Sequence, residues 1–89
     1  MKTILVVCGN GLGTSLMMEI AVKEVAKKIA MEVDVSHTDL SSAASKTADI
    51  YVAAKDIAEH LEISGKKNII SLINIFDKVA IEAQLTALE

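Results

Sequence analysis

Lys2-Thr3-Ile4-Leu5-Val6-Val7-Cys8-Gly9-Asn10-Gly11-Leu12-Gly13-Thr14-Ser15 is the stretch on which the fold turns. Its first half is an apolar, largely β-branched run without alternation, the pattern of a strand buried on both faces as in a parallel sheet. Glycines 9, 11 and 13 then punctuate a loop, and the hydroxyls of Thr14 and Ser15 can cap free N–H groups. A helix is therefore expected to begin near Thr14 or Ser15. Strand, glycine loop and helix in that order open a βαβ unit.

The rest of the chain repeats the alternation. The first helix carries an apolar stripe of Met18, Val22, Val25 and Ile29, with Glu19 and Lys23 forming a favourable pair four residues apart. Met31 to His37 alternates apolar and polar residues, which predicts a half-exposed strand at a sheet edge. The polar stretch from Thr38 to Thr47 reads as a loop or a short helix capped near Asp39 or Ser41. Ala48 to Ala54 is the third strand, Lys55 to Leu61 a short helix ended by the Ser64-Gly65-Lys66-Lys67 turn, and Asn68 to Ile73 the fourth strand. A last helix from Asn74 or Asp77 to Leu88 is expected to place Val79, Ala80, Ala83 and Leu88 toward the core. Four strands alternating with helices through short connections predict a three-layer α/β/α domain spanning 1–89, with a parallel sheet. Ligands of such sheets bind beyond the carboxyl ends of the strands. Cys8 and its glycines occupy that place on the first strand.

Composition narrows the chemistry. At 89 residues the chain holds one core, and an apolar fraction of 52% is too high for intrinsic disorder. Nine cations against twelve acids give a net charge of −3, the opposite of a nucleic-acid footprint. All nine cations are lysine, so no arginine fork is available to clamp a phosphate. A single cysteine makes neither an internal disulfide nor a zinc cage, and suits a reducing compartment. His37 and His60 are not at a metal-ligand spacing, and no metal or cofactor is expected. Both are expected at the surface. No stretch approaches the length of a membrane span, and the short apolar start does not make a signal peptide; a cytoplasmic protein without direct membrane insertion is expected.

The loop carries the unusual chemistry. A thiol attacks as its thiolate, and the positive end of a helix dipole with free N–H donors favours that form. Alternate glycines let the intervening amides turn inward as a nest for a tetrahedral anion. Residues 9–18 carry no charged side chain, so an anion on the Cys8 sulfur meets no carboxylate there. These features fit a cysteine that carries a phosphoryl group held by the amides of Gly9, Asn10, Gly11, Leu12, Gly13, Thr14 and Ser15. By themselves, a cysteine at a strand end also serves as a small buried hydrophobe, and alternate glycines also serve a tight turn. The spacing is neither G-x-G-x-x-G nor a Walker loop, because the third glycine comes one residue early and no Lys-Ser/Thr pair follows it. A cysteine phosphatase needs an arginine closing its loop, where this chain has Thr14 and Ser15. That lack favours a carrier over a hydrolase. Leu12 and Met17 beside the loop suit transient docking of a partner.

Val6-Val7-Cys8-Gly9-Asn10-Gly11-Leu12-Gly13-Thr14-Ser15-Leu16-Met17 resembles the active-site loop of enzyme IIB components of the bacterial phosphoenolpyruvate-dependent sugar phosphotransferase system (PTS). The Cys-Gly-Asn-Gly sequence is most similar to the L-ascorbate branch, and Asp49 to Ala53 and Ile69 to Asn74 fit that branch more loosely. The galactitol and lactose/cellobiose branches share the cysteine and a Thr/Ser-rich loop. The resemblance implies strand order 2-1-3-4. It also implies that Cys8 takes a phosphoryl group from a histidine of the IIA component and passes it to a sugar held by the membrane-embedded IIC component. A IIB-like regulatory or anion-binding module and a galactitol-type IIB are the alternatives.

Overall fold

The structure, a computed structural model, describes residues 2–8, 12–43, 45–74 and 77–88, with residues 12–15 described through their helical backbone. Strand β1 (Lys2–Cys8) leads to helix α1 (Leu12–Lys28), β2 (Val33–Asp39), α2 (Leu40–Ala43), β3 (Ile50–Ala54), α3 (Lys55–Ile63), β4 (Ile69–Leu72) and α4 (Lys78–Leu88). The four strands form one parallel sheet in the order β2-β1-β3-β4. The strand order reverses between β1 and β3, so the carboxyl end of β1 lies at the switch point of the sheet.

Two cores explain the unalternating sequence of β1. Ile4, Val6 and Cys8 face α1 and α4, packing with Met18, Val22, Val25, Ile81 and Leu85. Leu5 and Val7 face the other way, packing with Tyr51, Ala53, Ala43 of α2, and Ala58 and Leu61 of α3. Both registers of β1 are thus apolar because both faces are covered. The edge strand β2 buries only Val35 among its residues, which accounts for its alternation.

The boundaries shift for identifiable reasons. Helix α1 begins at Leu12, two residues before the expected cap, so Gly13, Thr14 and Ser15 lie inside its first turn. Strand β2 begins at Val33, two residues later than expected, because the preceding residues terminate α1. Ala30 takes a left-handed φ of 57°, its N–H donates to the Lys27 carbonyl at 3.2 Å, and the Met31 N–H donates to the Ala26 carbonyl at 2.8 Å. These are the two bonds of a Schellman ending, here with alanine where glycine is usual. Helix α3 ends in the same way with Gly65 at φ 87°, as its turn sequence predicted. The short α2 is capped by Asp39, whose Oδ1 accepts from the Ser42 N–H at 2.7 Å.

The expected core face of α4 holds for Ala80 and Leu88, which pack against the core, and not for Val79 and Ala83. Ile81 and Leu85 are fully buried, Ala80 and Leu88 are partly buried, Ala83 is exposed and Val79 is 80% exposed. The cap sets this phase: Asp77 Oδ1 accepts from the Ala80 N–H at 3.1 Å, and the Asp77 carbonyl accepts from the Ile81 N–H at 3.1 Å. The stripe is then Ile81, Leu85 and Leu88, at helical spacings of four and three. Alanine and valine at 79, 80 and 83 fit either phase, so periodicity alone did not separate them.

Asp49, an exposed residue just before β3, joins the start of that strand to β1. Its Oδ2 accepts from the Thr3 N–H at 2.8 Å and the Thr3 hydroxyl at 3.3 Å, and its own N–H reaches the Thr3 carbonyl at 3.1 Å. The Thr3 N–H above all, with the Thr3 hydroxyl and nearby Lys2, holds this carboxyl below the usual aspartate value.

Two stability predictions follow from these placements. Ile81→Ala should cost about 2–5 kcal/mol in urea unfolding, whereas Val79→Ala should stay within about 0.5 kcal/mol; similar losses would place the α4 stripe elsewhere. Because the folded-state pKa of Asp49 is depressed, its stabilisation is present above the ordinary aspartate pKa and is lost as pH falls through the folded value. Asp49→Asn should therefore lower stability at pH 7, with the difference from wild type shrinking below about pH 4. Parallel stability curves across that range would contradict the linkage.

Candidate functional site

Cys8 is the last residue of the interior strand β1, where the chain leaves the sheet toward the amino end of α1. It is a free thiol, 7% exposed. Its Sγ lies 3.6 Å from Sδ of Met18, a fully buried residue on the second turn of α1. The thioether is soft and flexible, so it covers the thiol without locking it. The burial that suits a small hydrophobe and the position that suits a reactive thiol therefore coincide: Cys8 is at the rim of its core, on the side where the sheet opens.

Of the other predicted loop residues, Gly9, Asn10 and Gly11 lie outside the described residues. Leu12, Gly13, Thr14 and Ser15 form the first turn of α1. In a helix's first turn the N–H groups have no intrahelical acceptor and carry the positive end of the macrodipole. There is no acidic residue in that turn. Leu16, Met17 and Ile20, which follow on α1, are exposed, and Met17 and Ile20 line a groove with Ala21 and Glu24 of the same helix and Lys78 of α4.

His37, expected at the surface, is partly exposed there and also engaged in a hydrogen bond. It stands opposite Val6 in the parallel register, two residues before the pairing of Asp39 with Cys8. Its Nδ1 donates to Glu19 Oε1 at 2.9 Å, with the two side chains 35% and 12% exposed. Glu19 Oε2 also pairs with Lys23 Nζ at 3.2 Å, as its spacing predicted. The hydrogen bond from His37 chiefly, with Lys23 assisting, holds the Glu19 carboxyl below its ordinary value despite a partial burial that opposes ionisation. Nothing in the sequence links residues 19 and 37; only the seating of α1 on the edge strand brings them together. His60 is exposed on α3, which covers the opposite face of the sheet from Cys8. Among the described residues, no three His, Cys, Asp or Glu side chains cluster as a metal ion would need.

A cleft of about 420 Å³ lies at the other end of the sheet, where Lys2, Asp49, Tyr51, Lys66 and Asn68 meet. Two of its lysines are engaged with the protein: Lys2 Nζ donates to the Leu88 carbonyl at 2.8 Å, and Lys66 Nζ to the Lys46 carbonyl at 3.0 Å. The Tyr51 hydroxyl donates to that same Lys46 carbonyl at 3.2 Å. These bonds tie together the amino ends of the strands and the last helix, a structural use of Lys2 and Lys66. No helix among the described residues is long and apolar enough to cross a membrane.

Comparison with known proteins gives the same fold and a family. A solved structure, the lactose-specific IIB component domain of the phosphoenolpyruvate:carbohydrate phosphotransferase system from Streptococcus pneumoniae, superposes with a TM-score of 0.69. The match covers 98% of this chain and 93% of that one at 15% identity, so the likeness is one of fold. The ascorbate-specific PTS system EIIB component of Mycoplasma pneumoniae (strain ATCC 29342 / M129 / Subtype 1) is 25% identical over 85 residues, covering 93% of this chain and 90% of that protein. The model of the family described as PTS system, Lactose/Cellobiose specific IIB subunit matches residues 3–87. The chain therefore belongs to the PTS lactose/cellobiose-type IIB family, whose members are phosphoryl carriers in sugar transport.

Proposed function

We propose that Cys8 is the residue that carries the phosphoryl group, and that the sugar served is L-ascorbate. The observation that carries the assignment is the position of the chain's one thiol, at the carboxyl end of the interior strand β1 and against the amino end of α1. In the first step the Cys8 thiolate attacks phosphorus of a phosphohistidine on the IIA component; the S–P bond forms, the N–P bond breaks, and the histidine leaves with the bonding pair. In the second step a sugar hydroxyl held by IIC attacks the same phosphorus. The O–P bond forms, the S–P bond breaks, the thiolate is regenerated, and the hydroxyl proton passes to a base on IIC. The equatorial oxygens carry the charge in both steps. The amides of Gly9, Asn10, Gly11, Leu12, Gly13, Thr14 and Ser15 stabilise them. With no arginine in the chain, that hold comes from the backbone and the helix terminus, which suits release to the next acceptor. The apolar surface of Leu16, Met17 and Ile20 is where a partner approaching Cys8 would be received.

For the sugar, the Cys8-Gly9-Asn10-Gly11 sequence and the ascorbate-specific relative support L-ascorbate. The description of the matching family favours a second reading, a lactose- or cellobiose-type sugar.

Cys8→Ser should abolish label transfer from radiolabelled phosphoenolpyruvate through the general phosphotransferase proteins and IIA, while the far-UV spectrum is retained. Label on the folded variant would refute the assignment of Cys8. Coupled to the cognate IIA and to membranes bearing the cognate IIC, the phosphorylated protein should convert L-ascorbate to its phosphate and leave lactose and cellobiose unchanged; phosphorylation of either disaccharide in preference would establish the second reading.

A further inference from the structure

Consecutive residues of α1 grip adjacent strands of the sheet. Met18 stands over Cys8 of β1 with a sulfur–sulfur distance of 3.6 Å, and Glu19 stands over His37 of β2 with a hydrogen bond of 2.9 Å. Among the described residues, the other buried ones of α1 are Ala21, Val22, Val25 and Ala26, with Ile29 just beyond the helix partly buried, all apolar side chains whose packing is not directional. Dispersion contacts of that kind tolerate a slide or a small rotation of a helix better than a hydrogen bond of fixed length does. Between α1 and α4 the apolar packing around Ile81 and Leu85 is likewise non-directional, and the polar contacts, between Lys28 and Glu82 and between Lys78 and Glu24, join solvent-exposed side chains and constrain the helix weakly. The Glu19 side chain, at 12% exposure, has by contrast lost most of its water and is held by His37 and Lys23. A polar contact of this type gives register at little or no net gain in stability.

We propose that His37 is a positioning residue for the Cys8 reaction, its bond to Glu19 seating α1 on the edge strand and so fixing where Met18 and the amino end of the helix stand relative to the Cys8 sulfur. The inference rests on phosphoryl transfer occurring at Cys8. His37 itself touches no reacting atom and donates through Nδ1, so any side chain presenting an N–H at that point can replace it. Asparagine places its amide nitrogen close to where Nδ1 stands, whereas phenylalanine keeps the ring shape and removes the donor.

The test measures phosphoryl transfer from radiolabelled phospho-IIA to the full chain for wild type, His37→Phe, His37→Asn and Glu19→Met. Glu19→Met removes the acceptor without leaving an orphan carboxylate, so the bond is broken from either side. His37→Phe and Glu19→Met should each lower kcat about ten- to a hundredfold, the scale of a misplacement near 1 Å, with KM for phospho-IIA unchanged. His37→Asn should restore kcat to within about threefold of wild type. Cys8 alkylation by iodoacetamide, which needs no donor, should accelerate severalfold in the two bond-breaking variants as the Met18 cover loosens. Transfer within twofold of wild type in folded His37→Phe and Glu19→Met, or His37→Asn as slow as His37→Phe, would overturn the proposal. A wild type that takes no label on Cys8 would instead refute the assignment of the thiol.

Discussion

Burial of β1 on both faces is the constraint on which the rest of this structure depends. A strand with apolar side chains in both registers has to lie inside a sheet and be covered by helices on each side, since either face left open would expose a row of valine, isoleucine or leucine. Fully burying each such side chain is worth roughly 1.5–3 kcal/mol, so leaving one face open would cost a large part of a small domain's stability. The chain meets the requirement by winding one crossover to β2 and the others to β3 and β4 on the far side, which puts the end of β1 at the switch point. The position of Cys8 is thus a consequence of how the core is satisfied.

The same packing covers the thiol, which keeps 7% exposure at the end of the strand. Cys8 ends the row formed by Ile4 and Val6, and Met18 closes over it from α1. Next in the fold comes helix α1, whose first turn carries no acidic residue, and the N–H groups of a helix's first turn have no intrahelical acceptor. A carrier needs a group that can be charged and discharged, and a hold on phosphate made of backbone dipoles rather than an arginine fork is consistent with that cycle.

Most of the architecture was legible because each strand declared its environment. The unbroken apolar run of β1, the alternation of β2 and the turn at Ser64–Gly65 each reflect a local rule that the tertiary structure obeys. The parts that were not legible are those set by competition between elements. The start of β2 gave way to the Ala30 ending of α1, and the phase of α4 was decided by the Asp77 cap among several apolar residues that fit equally well. The strand order came through the family resemblance and not from the pattern itself. At the site, the thiol and its glycines stood out as residue types in an unusual spacing. The His37–Glu19 pair did not, because its members sit 18 residues apart on a strand and a helix whose relative seating no local pattern encodes.

The direct test of the central claim is to locate the phosphoryl group by peptide mass spectrometry under conditions that preserve labile phosphoryl bonds, after incubation with phosphoenolpyruvate, the general phosphotransferase proteins and IIA. A single phosphoryl group on the peptide containing Cys8, removed by iodine as a thiophosphate is, is the expected result. A phosphoryl group on His37 or His60, with Cys8 unmodified, would contradict it.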